Sequence, residues 1–560
     1  MDTLPSTARE YMARLERPGR AVRSALREIY GNDAAVTNER LALIRRVLVR
    51  FIERFGDRPV RVFRCPGRIN LRGMHVDTHG GYLNLMTHQR EVAVVAAPET
   101  DDTVTFVNVD PAFDPVSFSL QAAASHPAFR GPWLPYIMHP DVRTEVEAQR
   151  GHWGNYIKGC FLTVQHRFPR QRVRGMSAVL GGDLPRGAAL SSSAALCVAV
   201  TAAVLTCNSL TLDNDCRILA ARDAEWFTGS RCGLSDQAAT ILGGRDQLVN
   251  VALDPARLDT SSARRLRFPE ELRVLVINSY TERSLSGAAL VDYTRNRFAY
   301  SLAMEILRQE MRTQGAPDHI VGKTDRLAHL TPEILAPIGG TQGLLRLLRC
   351  IPEAIAIADL RQRYDLRNLD AAYEQCFGTV PTELRPTTIH LRGPLLFGIA
   401  ESERARLFVG ALERGDYTGA GQLMTSGHEG DRVVRADGGP YRCDVSDEAL
   451  GALMRSDTPI ARCPGVYRAS TPVLDLLVDT ALNAGALGAS LTGAGMAGTV
   501  LALCRAEQAE PVARAVRSRM AAPDYSALAR RTDALPPEQL AQAVVVNTAT
   551  ASAGELTLPA

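Results

Sequence analysis

The apolar positions of the chain fall into alternating helical and extended patterns. Leu41, Ile44, Val47, Leu48, Phe51 and Ile52 recur at three- and four-residue steps, which predicts an amphipathic helix over residues 39–55. Residues 60–64 read as a strand, and the uninterrupted apolar run 92–97 as a second one. Residues 175–180 read as a buried strand that stops at Gly181 and Gly182, and residues 194–200 open an apolar helix. Further helices are predicted over 213–227, 238–242, 403–415, 417–426 and 473–484, with another from about residue 288, and a strand over 274–279. Residues 1–38 are arginine-rich and helix-compatible. They read as an extension, and Glu10, Glu16 and Glu28 argue against a transit peptide. Residues 98–150 are polar and turn-rich, a peripheral insertion. Residues 303–390 are mixed and helical, an insertion between domains, and residues 427–447 read as a loop.

Composition sets the class. A chain of 560 residues holds roughly two to four domain-sized units. Hydrophobic content of 46% and charged content of 22% are those of a soluble globular enzyme. The net charge of +3, without a basic block, gives no reason to expect nucleic acid. The eleven cysteines show neither a C-x-x-C pair nor a Cys/His ligand spacing, which predicts reduced thiols in a cytoplasmic protein without structural zinc. The longest apolar run, residues 194–205, is too short to span a bilayer, so no membrane partner is expected.

Three stretches carry candidate chemistry. In the first, residues 65–81, Arg68, His75 and Asp77 stand among glycines just after a strand, and the step Ile69-x-Leu71 makes a solvated turn a poor reading for Arg68. The second, residues 181–196, reads GGDLPRGAALSSSAAL: strand, Gly/Pro/Ser loop, buried helix. A helix N-terminus presents unpaired N–H groups and the positive end of its dipole, an anion site. Serine hydroxyls there suit phosphate or magnesium. One serine suffices for an N-cap, so Ser191, Ser192 and Ser193 behind Pro185-x-Gly187 favour phosphate. The third, residues 488–503, is a glycine-rich turn leading into a β-like run. Asp236, after Gly233 and ahead of the predicted helix, reads either as an N-cap or as a carboxylate aimed into a cleft.

Taken in order, these stretches resemble the GHMP kinase superfamily, and the galactokinases within it. Residues 67–81 look like the family's G-R-x-N-L-x-G-E-H-x-D-Y-x-G-G. Residues 185–194 look like P-x-G-x-G-L-S-S-S-A, with Ala189 replacing a glycine, and residues 488–498 like G-x-x-x-T-G-x-G-x-G-G, with Ala497 replacing another. The stretches 153–159, 232–237 and 293–297 also fit the galactokinase pattern. The resemblance implies a two-lobed α+β fold with the active site in the cleft between an N-terminal and a C-terminal α/β lobe. The division expected is a helical extension 1–38, an N-terminal domain 39–300, a helical connector 301–390 and a C-terminal domain 391–560. It further implies an ATP- and magnesium-dependent sugar kinase acting on the anomeric hydroxyl. By the same resemblance Asp236 is the base and Arg68 its cation. Met74, His75, Asp77, Gly233 and Tyr293 face the sugar. Gly187, Leu190, Ser191, Ser192, Ser193, Gly493 and Gly495 hold ATP, and Ser193 and Glu225 hold magnesium, with Asp223 the alternative to Glu225.

The departures bear on the sugar. Met74 stands where the family has a glutamate, Thr78 where it has a tyrosine, and Arg72 precedes Gly73. Galactose remains one reading. A uronic acid paired with Arg72, a deoxy sugar and a pentose are others. A non-catalytic sugar and ATP sensor is the alternative from a different class, which the intact run Ser191 to Ala195 and the presence of Arg68 and Asp236 disfavour. A non-sugar alcohol acceptor is disfavoured by the stretches 153–159 and 293–297.

Overall fold

The computed structural model describes residues 6–185, 190–281, 288–366, 368–378 and 380–559. The strands Arg61–Arg72 and Tyr82–Pro98 pair antiparallel from Arg61↔Ala96 to Arg72↔Asn84. The first therefore continues through the polar residues at which the sequence reading ended it. From Val62 onward every residue of it is buried, and Arg68 and Arg72 find carboxylate partners, Asp236 and Glu401, on covering helices. Tyr82–Pro98 is the hub of an eight-stranded sheet: its start pairs with Gln247–Ala252 and its end with Met176–Gly182. Thr103–Asn108 runs parallel to Met176–Gly182 and pairs with Val116–Ser119. Residues 98–150, expected as a peripheral insertion, thus contribute two strands, whose apolar positions (Val104, Phe106, Val116) are too few to register as a pattern.

Both faces of this sheet are covered. Phe63, Cys65, Val94 and Ala96 pack with the helices Gly154–Arg167, Ser192–Cys207 and Asn214–Phe227. Val62, Ala93, Val95 and Val179 pack with Tyr11, Leu26, Ile44 and Val47 of the helices Ala8–Glu16, Arg20–Tyr30 and Ala34–Phe55. Alternate side chains enter opposite apolar layers, which is why the run 92–97 is uninterrupted. Each fully buried Val or Phe contributes about 1.5–3 kcal/mol relative to exposure, so the N-terminal helices are a structural layer of this lobe.

The second sheet orders Gly488–Thr492, Thr499–Arg505, Leu272–Asn278 and Val544–Val546, all antiparallel. The helices Pro472–Asn483 and Ala509–Met520 share its core. Leu272–Asn278, read with the N-terminal lobe, is bonded between strands from the C-terminal part of the chain, and Gly554–Glu555 returns to pair with Arg61–Arg72. Between the strands Leu272–Asn278 and Gly488–Thr492 the chain is mainly helical, with the long helices Ala288–Thr313, Gly340–Cys350 and Arg392–Glu413. The loop expected from residue 427 begins later, because the helix Tyr417–Asp431 runs through its glycines. Among the described residues no helix is long and apolar enough to cross a membrane.

Candidate active site

The helix Ser235–Leu242 has Leu234 at its N-cap position and no side-chain cap, so the N-cap reading of Asp236 fails. The Asp236 carboxylate instead receives Arg68 Nε at 2.7 Å, Ser191 Oγ at 2.5 Å and Ser235 Oγ at 3.4 Å. Arg68 sits where the strand Arg61–Arg72 shifts register between Pro66 and Arg68. Its side chain is 6% exposed against 23% for Asp236, so the arginine forms the wall and the carboxylate can be reached. Burial alone would raise the Asp236 pKa. The Arg68 charge, with the bonds from Arg68, Ser191 and Ser235, outweighs it and holds the group below the ordinary aspartate value.

Ser191 precedes the helix Ser192–Cys207 in the left-handed region (φ 59°, ψ 49°), uncommon for serine. Its hydroxyl is turned to Asp236 and does not cap the helix. The first amides of that helix thus have no side-chain cap, the condition for taking an anion. The Leu190 carbonyl accepts the Arg68 amide at 3.5 Å and ties this loop to the first motif. Gly187 lies outside the described residues.

Two residues on, Ser193 Oγ donates to Glu225 Oε1 at 2.7 Å, and Gln237 Nε2 donates to Glu225 Oε2 at 2.6 Å. Burial, then the charge of Asp236, pushes Glu225 up to about 7, against the hydrogen bonds from Ser193, Cys232 and Gln237. Asp223 is held elsewhere: Arg167 Nη2 and Arg222 Nη2 each donate to it at 2.6 Å. Two hard oxygens meet at a helix N-terminus, and among the described residues no cation pairs with Glu225. The chemistry of this donor set is compatible with a divalent cation, whereas Asp223 already pairs with two arginines.

Asp77 Oδ2 accepts the Ser235 amide at 3.1 Å. A Cβ at Gly233 would stand 1.9 Å from that oxygen, so only glycine allows the approach. The first and second motifs and residues 233–236 therefore converge. His75 (φ 62°) stacks on Tyr467, ring centroids 4.0 Å apart, with Nε2 3.5 Å from Asp431 Oδ1. Met74 is buried in the core of the second sheet with Phe397, Tyr467, Leu275 and Ile277. Arg72 is 1% exposed, 3.2 Å from Glu401 Oε1, and donates to the Leu423 and Met424 carbonyls. Tyr293 falls in the helix Ala288–Thr313, its side chain outside the described residues. Gly493 and Gly495 (φ 76° and 74°) form the turn between Gly488–Thr492 and Thr499–Arg505, and Thr492 Oγ1 donates to the Asn70 carbonyl at 3.0 Å, joining the third motif to the first. Glu401, Asp431 and Tyr467, which grip residues 73–75, carry no sequence signal: Asp431 lies in a stretch read as a loop, and Glu401 and Tyr467 lie outside every predicted element.

The chain matches the family description "GHMP kinases N terminal domain" over residues 155–244 and "GHMP kinases C terminal" over 446–522. It matches "Galactokinase galactose-binding signature" over 49–98. It is 27% identical over 464 residues to a galactokinase of Chloroflexus aurantiacus, covering 82% of this chain and 88% of that one. It is 26% identical over 460 residues to a galactokinase of Thermococcus kodakarensis, covering 82% and 93%. In fold it is similar to Lactococcus lactis galactokinase complexed with galactose (TM-score 0.56, 18% identity, covering 91% of this chain and 98% of that one). The fold is thus the two-lobed α+β fold of the GHMP kinases. Through these matches the chain is similar to the GHMP kinases, and to the galactokinases among them.

Proposed function

We propose that the chain is an ATP-dependent sugar kinase that phosphorylates the C1 hydroxyl of galactose or a galactose-like sugar. The observation that carries this reading is the Arg68–Asp236–Ser191 cluster, an ionised carboxylate next to an uncapped helix N-terminus. Asp236 takes the proton of the anomeric hydroxyl, and Arg68 keeps Asp236 ionised and offsets charge on the transferring group. The helix start at Ser192 and Ser193, with the turn at Gly493 and Gly495, receives the nucleotide phosphates. Ser193 and Glu225 hold magnesium, which supplies neutralisation of phosphate charge when bound. Asp77, beside Gly233, accepts from sugar hydroxyls, and a carboxylate suits two adjacent ones. A uronate loses its support because Arg72 is consumed by Glu401 and backbone carbonyls.

The test is ADP release with ATP and magnesium against galactose, galacturonate, arabinose and fucose, with Asp236→Asn as control. Turnover on galactose, lost in the control, is the expected result. Turnover on none of them, with sugar and ATP still bound, would overturn the enzyme reading in favour of a sensor.

A further inference from the structure

The turn carrying His75 and Asp77 leaves the first sheet at Arg72, and its opening amides are held from a helix far away in sequence. Gly73 N and Met74 N donate to Glu401 Oε1 at 2.8 and 3.2 Å, across 328 positions in the case of Gly73. Glu401 is fully buried on the helix Arg392–Glu413. Its second oxygen accepts Arg404 Nε at 2.6 Å, while Arg72 Nη2 lies 3.2 Å from the first. Room for the pair exists because residue 427 is glycine: a Cβ there would stand 2.2 Å from Arg72 Nη1 and 2.7 Å from Glu401 Oε2. Met74 is anchored in the apolar core beyond, and His75 is pinned by Tyr467 and Asp431.

We propose that Glu401, held by Arg72 and Arg404, is a positioning residue of the sugar site, fixing the turn at residues 73–77 and with it Asp77. The inference rests on the sugar-kinase reading above. Buried ion pairs are a weak source of stability, since apolar replacements are often neutral or better. Here the carboxylate spends two of its contacts on backbone amides of the motif itself. Those contacts set where Asp77 stands against Gly233, and a displacement near 1 Å is enough to spoil hydroxyl binding.

Glu401→Gln tests this: it keeps the shape but must turn an NH2 group onto either Arg404 or the two amides. The expected result is a KM for galactose raised about tenfold or more, with kcat and the KM for ATP within about threefold. Arg72→Met, which leaves Glu401 on the amides, gives a smaller rise in the same constant and serves if the first variant fails to fold. Lower thermal stability with the galactose KM unchanged overturns the inference, because the role is then structural only. A wild-type protein that neither turns over nor binds a sugar overturns the kinase reading instead. Amide hydrogen exchange then decides the inference: faster exchange at residues 73–77 in Glu401→Gln, with the rest of the sheet unchanged, supports it, and equal exchange overturns it.

Discussion

Two carboxylates, Glu225 buried and Asp236 partly exposed, stand on neighbouring elements, each accepting a serine hydroxyl from the start of one helix, yet their proton affinities are shifted in opposite directions. Asp236 accepts Ser191 and is ionised; Glu225 accepts Ser193 and is pushed up to about 7. Burial raises both. The difference is Arg68, whose charge lies 2.7 Å from Asp236 and has no counterpart at Glu225 among the described residues; Glu225 instead feels the charge of Asp236 itself. The pair shows how two like groups acquire different proton affinities: a neighbouring cation keeps one ionised at neutral pH, and burial beside a like charge leaves the other holding its proton up to about pH 7.

The largest effect expected is on the Arg68 side. Asp236→Asn keeps the shape and removes the base, and turnover should fall about 10²–10⁴-fold with sugar binding retained. Steady-state ADP release with a calorimetric sugar titration reads this, and a variant within tenfold of wild type would remove Asp236 from the base role. Next is Arg68→Met, for which a loss of about 10²–10³-fold is expected. Its sharper readout is the pH profile. The base must be ionised, so activity fails as pH falls through the Asp236 pKa. Without the arginine that pKa rises, and the acid limb moves to higher pH. An acid limb at the wild-type position would mean that something else sets the Asp236 pKa.

The residues in this comparison were unequally legible in the sequence. Arg68, Asp236 and the serines lie in local motifs whose glycines and order can be read along the chain, although of the two readings of Asp236 the N-cap one fails. That Asp223 is held by Arg167 and Arg222 while Glu225 meets Ser193 was not legible, because it depends on which side of the helix each carboxylate leaves. Glu401 and Asp431 were invisible for a related reason: their partners are hundreds of positions away. The strand Thr103–Asn108, paired on both sides, and the return of Gly554–Glu555 to the edge of the first sheet escaped notice because strands this short carry too few alternations.

The Glu225 side is sharpened by stability. Its native pKa, about 7, exceeds the ordinary glutamate value of 4.5. Between these values the unfolded chain has lost the proton that the native state keeps. The metal-free protein therefore loses stability as pH rises from about 4.5 to about 7, by ~3 kcal/mol at the full shift. Glu225→Gln removes this dependence, and Gln237 accommodates it by turning its amide, whose buried Oε1 has no hydrogen-bond partner. Above pH 7 and without magnesium the variant should melt higher than wild type, while gaining less from added magnesium. Parallel pH–stability curves for the two proteins would show that Glu225 is not the group responsible.

The finest cut uses one substitution on both sides. Replacing an N-cap serine by alanine costs about 1 kcal/mol of stability, but neither Ser191 nor Ser193 spends its hydroxyl on the helix. Ser191→Ala should therefore leave the melting temperature nearly unchanged, and it removes one of the bonds to ionised Asp236. The acid limb then moves up by less than one pH unit, turnover falls less than about tenfold, and the magnesium requirement stays the same. Ser193→Ala should do the converse, raising the magnesium concentration needed for half-maximal activity and leaving the acid limb in place. If both variants shifted the same quantity, the two carboxylates would be acting as one coupled site, and the separation argued from Arg68 would not hold.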